Sequence, residues 1–313
     1  MLVACPDGNS NSGANSDGLR VIDGFSRIVR LGEGLSESGR LSDNAIERTT
    51  EALLICARKI ASRNVRQIRA IATEACRQAE NDADFFRHVE RVTGIGLETI
   101  SPEEEAELTI AGCVPLLKTE HPRTLMFDIG GGSTEVMWIE TAAPEGPKPI
   151  DILSLPFGVV SLAEEFGRDA LKKEAFEVIV ERVDAGLLAF EERHGIAGEI
   201  ADGNVHVLGT SGTVTTMGAI YLDLPRYDRA RVDGLPIRYE SIHAICENLM
   251  SLGFEARNSH PCIGPGRADL MVMGCAILTA ICRRWPALHL TAADRGIREG
   301  LLLEMMAQDR AVA

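Results

Sequence analysis

Two glycine-rich segments of this chain carry the residue types that grip phosphate. The first, Asp128-Ile129-Gly130-Gly131-Gly132-Ser133-Thr134-Glu135, lies between two apolar runs, Thr124 to Asp128 and Thr134 to Glu140. Glycine lets several backbone N–H groups converge on one spot, by tolerating positive φ and by admitting a ligand where a Cβ would stand. Gly130, Gly131 and Gly132 would supply those donors and Ser133 a hydroxyl. Asp128, ending its strand, is placed to hold Mg2+ through water, and Glu135 adds a carboxylate two residues past Ser133. A tight three-glycine hairpin fits the same spacing, but the flanking acids favour phosphate. The second segment, Gly209-Thr210-Ser211-Gly212-Thr213, joins a strand to a helix, whose N-terminal dipole and free N–H groups suit an anion. A plain Ser/Thr helix cap fits it equally. Neither is a Walker A loop or a G-x-G-x-x-G fingerprint. Two phosphate turns without the P-loop lysine point to a clamp between two domains.

The elements that must position these turns alternate between strand and helix, which is the pattern of an α/β protein. Residues Pro6 to Gly18 are Asn, Ser, Gly and Asp and read as a flexible loop. Val21 to Leu31 predicts a strand or hairpin turning at Asp23-Gly24. Ser42 caps a helix carrying Ile46, Leu53, Ala57 and Ile60, and Gln67 to Thr73 and Leu97 to Ile100 read as short strands flanking a helix over Asp82 to Thr93. Ser101-Pro102-Glu103-Glu104 has the form of a capping box opening a helix to about Leu117. Ile150 to Leu155 is a strand, helices fill Val160 to His194, Val205 to Leu208 is a strand, and helices dominate from Ser241 apart from a strand near His289 to Thr291.

The composition narrows the partners. With 46 acidic against 32 basic residues the formal charge is −14, which argues against a nucleic-acid coat, since that affinity comes from neutralising phosphates with Lys and Arg. Three tyrosines and two tryptophans offer few stacking platforms. No apolar run approaches the roughly 20 residues of a membrane span, and no basic segment followed by an apolar run opens the chain, so a cytoplasmic location is expected. Eight scattered cysteines without a C-x-x-C pair read as reduced core residues.

In order along the chain, Arg30-Leu31-Gly32-Glu33-Gly34-Leu35, Ala72-Thr73-Glu74-Ala75-Cys76-Arg77, Ile100 to Ala106, Asp128 to Glu135, Leu155-Pro156-Phe157-Gly158, Gly209 to Thr213, Gly266-Arg267-Ala268-Asp269 and Gly296 to Gly300 form a specific set. Together they resemble the exopolyphosphatase/guanosine pentaphosphate phosphohydrolase family of the actin-like ATPase superfamily, from about Leu19 to Glu304. The resemblance implies two actin-like (ribonuclease H-like) domains with an interdomain cleft. We place them at 1–122 and 123–313, with the final helix, about 296–313, packing back on the first. It also implies Glu105 as the catalytic base, Arg77 as a phosphate-binding arginine, Mg2+ at Asp128 and Glu135, and phosphate at Gly130, Gly131, Gly132, Ser133 and Gly209 to Thr213. Arg267 and Arg298 match family positions, and a structural salt bridge accounts for each equally.

One departure stands out. Members of that family begin with a strand running into a first phosphate loop, Asp-x-Gly-Ser/Thr-Asn-Ser/Thr. Here Asp7-Gly8-Asn9-Ser10-Asn11-Ser12 is only a scrambled copy with no apolar strand before it. We expect Met1 to Ala4 to be the tail of a second strand, the first strand and loop lying upstream. The activity implied is Mg2+-dependent hydrolysis of terminal phosphoanhydrides, on inorganic polyphosphate or guanosine pentaphosphate, by a protein of a family in which homodimers are common. The rivals are a superfamily kinase and a non-catalytic module that binds polyphosphate or guanosine tetraphosphate.

Overall fold

A computed structural model describes residues 1–7, 18–167, 172–264 and 266–312. The chain divides into two compact units, Met1–Pro115 with the segment from Gly296 onward, and Leu116–Arg295.

The first unit opens with β1 (Leu2–Pro6) paired antiparallel to β2 (Leu19–Gly24). The Pro6 to Gly18 loop, apart from its ends, and the Asp7 to Ser12 stretch beyond Asp7 lie outside the described residues. Of the strand or hairpin expected over Val21 to Leu31, a strand forms, and β2 ends at Gly24. The Asp23 carboxylate takes Lys59 Nζ at 2.8 Å and Arg63 Nη2 at 3.0 Å. After α1 (Leu35–Ser38), α2 (Asp43–Ser62) starts at Ser42, whose Oγ accepts the Ala45 N–H, and buries Ala45, Thr49, Ala52 and Cys56 on one stripe. The strand β3 (Ile71–Ala72) pairs parallel to β4 (Glu98–Thr99), with α3 (Glu74–Gln78) and α4 (Asp82–Thr93) between them in sequence. Leu35, Leu41, Cys76, Ala79, Phe85 and Val89 make a small core. Next comes α5 (Pro102–Cys113), which stops short of Leu117 in a 3-10 turn at Val114–Leu116, where Pro115 lacks the N–H a continuing helix needs.

The second unit is built on a six-stranded sheet in the order β7-β6-β5-β8-β10-β9. An antiparallel meander, β5 (Arg123–Ile129), β6 (Thr134–Glu140) and β7 (Lys148–Leu155), is extended by parallel β8 (Val205–Thr210) and β10 (His289–Ala293) and closed by antiparallel β9 (Leu235–Arg238). This is the sheet of an actin-like domain. The edge strand β9 escapes sequence reading because Pro236 argues against a strand, yet an edge tolerates it. The helices α6 (Val159–Phe166), α7 (Lys173–His194), α8 (Ile196–Ala201), α9 (Gly212–Tyr221), α10 (Arg229–Val232), α11 (Tyr239–Ser251), α12 (Phe254–Asn258) and α13 (Ala268–Arg284) surround it. Leu125, Phe127 and Ile129 of β5 enter the main core with Val183, Leu187 and Ile277. Strand alternation then sends Asp128 to the opposite face.

The last helix, α14 (Ile297–Val312), belongs to the first unit. It meets α5 backbone to backbone. A Cβ on Gly112 would stand 2.0 Å from the Gly296 carbonyl oxygen, and one on Gly300 would stand 1.8 Å from that of Leu108. Among the described residues no helix is long and apolar enough to cross a membrane, and all eight cysteines are free thiols.

Candidate active site

In the first unit the chemistry gathers at the start of α5. Ser101 caps the helix, its Oγ accepting the Glu104 N–H at 3.1 Å, and Pro102 fills the first turn where its missing N–H costs nothing. Three consecutive glutamates follow, and their partners separate them. Glu104 is bound by Arg69, which also holds Glu98 and Glu304. Glu105 turns to Arg77, whose Nη1 donates to Glu105 Oε2 at 3.0 Å and to the Ile100 carbonyl at 2.9 Å. The other edge of the same guanidinium meets Glu74, Nε donating to Oε2 at 3.0 Å. Arg77 and Glu105 are each 15% exposed. Burial works against the Arg77 charge, but the hydrogen bonds it donates to Glu74 and Glu105 outweigh it and hold its pKa above the ordinary value. Both the first turn of a helix and a neighbouring cation are places that favour a carboxylate's charge.

In the second unit, one row of side chains crosses the sheet near the carboxyl ends of its parallel strands. Register places Ser154, Glu135, Asp128, Thr210 and Ala293 side by side. Asp128 and Glu135 are therefore cross-strand neighbours on one face. Glu135 is 2% exposed and accepts the Ser154 hydroxyl at 3.0 Å. Ligands of open α/β sheets sit at this end of the strands. Two adjacent carboxylates fit a Mg2+ that keeps several waters and takes its remaining ligands from phosphate, whereas a calcium cage or zinc site needs more protein ligands. No group of three or more His, Cys, Asp or Glu able to hold a metal occurs among the described residues.

The first turn follows from β5. The Gly130 N–H donates to the Ser133 carbonyl at 2.9 Å, and the carbonyls of Gly130 and Gly131 accept N–H groups of Val159 and Val160 at 3.0 and 2.8 Å. With its carbonyls anchored on the start of α6, the turn leaves the N–H groups of Gly131, Gly132 and Ser133 without an acceptor among the described residues. Of the two reasons expected for glycine, positive φ does not apply, since none of Gly130, Gly131 and Gly132 has one. Close approach decides instead. A Cβ on Gly130 would lie 2.9 Å from the Ser133 carbonyl oxygen, and one on Gly158 would lie 2.3 Å from the Gly131 carbonyl.

The second turn holds the one strained residue of the site. Ser211 has φ 108° and ψ 170°, a conformation almost reserved for glycine, and its Oγ accepts the Thr213 N–H at 3.2 Å to cap α9. The N–H groups of Ser211 and Gly212 have no acceptor among the described residues. The neighbouring groups serve the fold. The Thr210 hydroxyl donates to the Arg295 carbonyl at 2.7 Å. Gly209 admits the Phe127 ring, which a Cβ would approach to 2.7 Å, and Thr213 packs on Gly274 of α13. Arg267, the N-cap of α13, brings Nη1 to 3.7 Å from where a Gly212 Cβ would stand. Neither Arg267 nor the exposed Arg298 forms an ion pair among the described residues, so the salt-bridge explanation finds no partner for either. Sequence reading gave no role to Glu74, Ser154 or Gly158. The i, i+3 spacing of Glu74 and Arg77 was the available signal for the first, while Ser154 and Gly158 are placed by strand register and by packing.

Known proteins resemble this chain over most of its length. Exopolyphosphatase 2 of Mycobacterium tuberculosis (strain H37Rv) is 28% identical over 301 residues, 92% of this chain and 90% of that protein. The crystal structure of an exopolyphosphatase-like protein is 26% identical, with a TM-score of 0.84 over 93% of this chain and 94% of that one. That of the Ppx/GppA family member from Aquifex aeolicus is 27% identical, with a TM-score of 0.72 over 94% and 92%. The sequence matches the Ppx/GppA phosphatase family from residue 11 to residue 309, and by a match of that extent the chain belongs to this family.

Proposed function

We propose that this protein hydrolyses terminal phosphoanhydride bonds in the presence of Mg2+, releasing orthophosphate from inorganic polyphosphate or from guanosine pentaphosphate, as a cytoplasmic homodimer. The observation that carries the reading is the first turn: three N–H groups without an acceptor among the described residues, in a turn whose Gly130, Gly131 and Ser133 carbonyls are tied down, beside a pair of carboxylates. The exopolyphosphatase names of its relatives favour polyphosphate.

The residues divide the work. The N–H groups of Gly131, Gly132, Ser133, Ser211 and Gly212 bind phosphate oxygens and stabilise the charge on them. Asp128 and Glu135 hold Mg2+, which when bound neutralises that charge. Glu105 orients a water and takes its proton as the water oxygen bonds to the terminal phosphorus. The bond to the bridging oxygen breaks, and that oxygen leaves as a terminal oxygen of the shortened chain. A base of this kind contributes about 10²- to 10⁴-fold.

The test is orthophosphate release with Mg2+ from polyphosphate, guanosine pentaphosphate and ATP in parallel, for the wild type and Glu105→Gln. Release from the first or second that drops at least about 100-fold in the variant is expected. Tight binding without release, or ADP formation that requires an acceptor, would sink the proposal in favour of a binding module or a kinase.

A further inference from the structure

We propose that Glu74 is a positioning residue for the base: it holds one edge of the Arg77 guanidinium so that the other edge is presented to Glu105, and Arg77 acts on that carboxylate, not as a phosphate clamp. The inference rests on Glu105 being the base.

The hydrogen bonds of Arg77 carry it. Nε is taken by Glu74, and Nη1 is shared between Glu105 and the Ile100 carbonyl. Nη2 lies 2.8 Å from Glu74 Oε2, is shielded from solvent, and makes no hydrogen bond of acceptable geometry. No edge of the planar fork is therefore offered to a ligand, although a bidentate grip on phosphate needs a free edge. Glu74 is fixed in turn, its Oε1 accepting from Gln78 Nε2 one helical turn on. One cation thus bridges two carboxylates, and α3 dictates where the base points.

The charges around Glu105 fix the direction of the consequences. On α3 stand Glu74 and Arg77; the adjacent Cys76 thiol is pushed up to about 11 by burial and stays neutral. On its own helix stand Glu103 and Glu104, the latter neutralised by Arg69. On α14, which packs along α5, Glu299 is 2% exposed and accepts the Gly296 N–H at 3.0 Å, while Arg298 is exposed. Removing the Glu74 charge leaves Arg77 wholly to Glu105 and lowers the proton affinity of the base. Removing Arg77 raises it.

The experiment measures kcat and KM for polyphosphate hydrolysis against pH in Glu74→Gln, Glu74→Ala, Arg77→Met and Glu105→Gln, with circular dichroism and Tm to establish folding. In Glu74→Gln, which keeps the hydrogen-bond acceptor, kcat stays within about threefold and the acidic limb moves to lower pH by roughly half a unit or more. In Glu74→Ala kcat falls about tenfold or more at a KM within threefold, the loss expected when a catalytic group is misplaced. In Arg77→Met the acidic limb moves up. Opposite shifts from two residues in contact are not a signature of general loosening. The inference is overturned if both Glu74 variants keep the wild-type kcat and acidic limb, or if Arg77→Met raises KM at unchanged kcat, as loss of a phosphate ligand does. Glu105→Gln separates the two failures: an active variant removes the base itself, whereas an inactive one with silent Glu74 variants removes only the positioning role.

Discussion

Replacing Gly131 by alanine separates phosphate binding from folding at the first turn. A Cβ there would meet only Val160 Cγ2, at 3.5 Å, an ordinary van der Waals contact, and Gly131 has no positive φ to defend. Restricting the unfolded chain favours the variant by about 0.4–1 kcal/mol, so stability should hold or rise slightly. Phosphate needs close approach to the N–H groups of Gly131, Gly132 and Ser133, and a side chain at Gly131 restricts that approach. Loss of a single oxyanion donor costs about 10²- to 10³-fold in kcat, and a displaced phosphate should cost at least as much. Gly158→Ala is the counterpart. Its Cβ would stand 2.3 Å from the Gly131 carbonyl and 2.5 Å from the Gly132 nitrogen, where backbone has to move, at a cost of about 1–3 kcal/mol. Thermal unfolding and orthophosphate release, measured on both, should show Gly131→Ala stable and inactive and Gly158→Ala impaired in both respects. A folded Gly131→Ala protein with kcat/KM within threefold of wild type would refute the assignment of this turn to phosphate.

Ser211→Gly should raise Tm, because it relieves about 1–3 kcal/mol of backbone strain while losing only a few tenths from the helix cap, and an unchanged or lower Tm would argue that Ser211 is unstrained. Glu135→Gln retains an acceptor for the Ser154 hydroxyl but removes charge, so the Mg2+ concentration for half-maximal activity should rise about tenfold or more, and an unchanged Mg2+ titration would remove Glu135 from the metal site. The buried His206 has its pKa brought down to about 4, mainly by burial and then by Lys118 and His121. Its unfolded value is near 6.5, so the unfolded chain binds the proton first and stability falls as pH drops from about 6.5 towards 4. Urea unfolding at pH 7.5 and 5.0 should show a loss of about 2 kcal/mol that His206→Gln lacks, and equal pH dependence in the two proteins would contradict the assignment.

Much of this protein was legible because its signals are local. Ser42 and Ser101 cap the helices they were expected to cap, since a cap needs only a side chain and an N–H two or three residues on. The strand, glycine turn, strand unit around Gly130 and the strand-to-helix turn at Ser211 follow from runs of apolar residues and breakers. The resemblance marked Asp128, Glu135 and Glu105 by motif. Alternatives stayed open where distant partners matter: Val21 to Leu31 allowed a strand or a hairpin, and in the fold β2 ends at Gly24 with the Asp23 carboxylate taken by Lys59 of α2 and by Arg63 just beyond it.

The amino-acid sequence by itself determined which segments bend, which alternate and which acids stand near the turns, because those properties depend on neighbours along the chain. Only the tertiary structure decided which of three consecutive glutamates meets Arg77, that Arg77 is shared with Glu74, and that register sets Asp128 beside Glu135. It also decided why glycine is required at the first turn, through the approach of Gly158 to the Gly131 carbonyl and not through φ. Contacts of this kind join residues tens of positions apart, and their energies arise only once sheet register and helix packing have fixed the geometry.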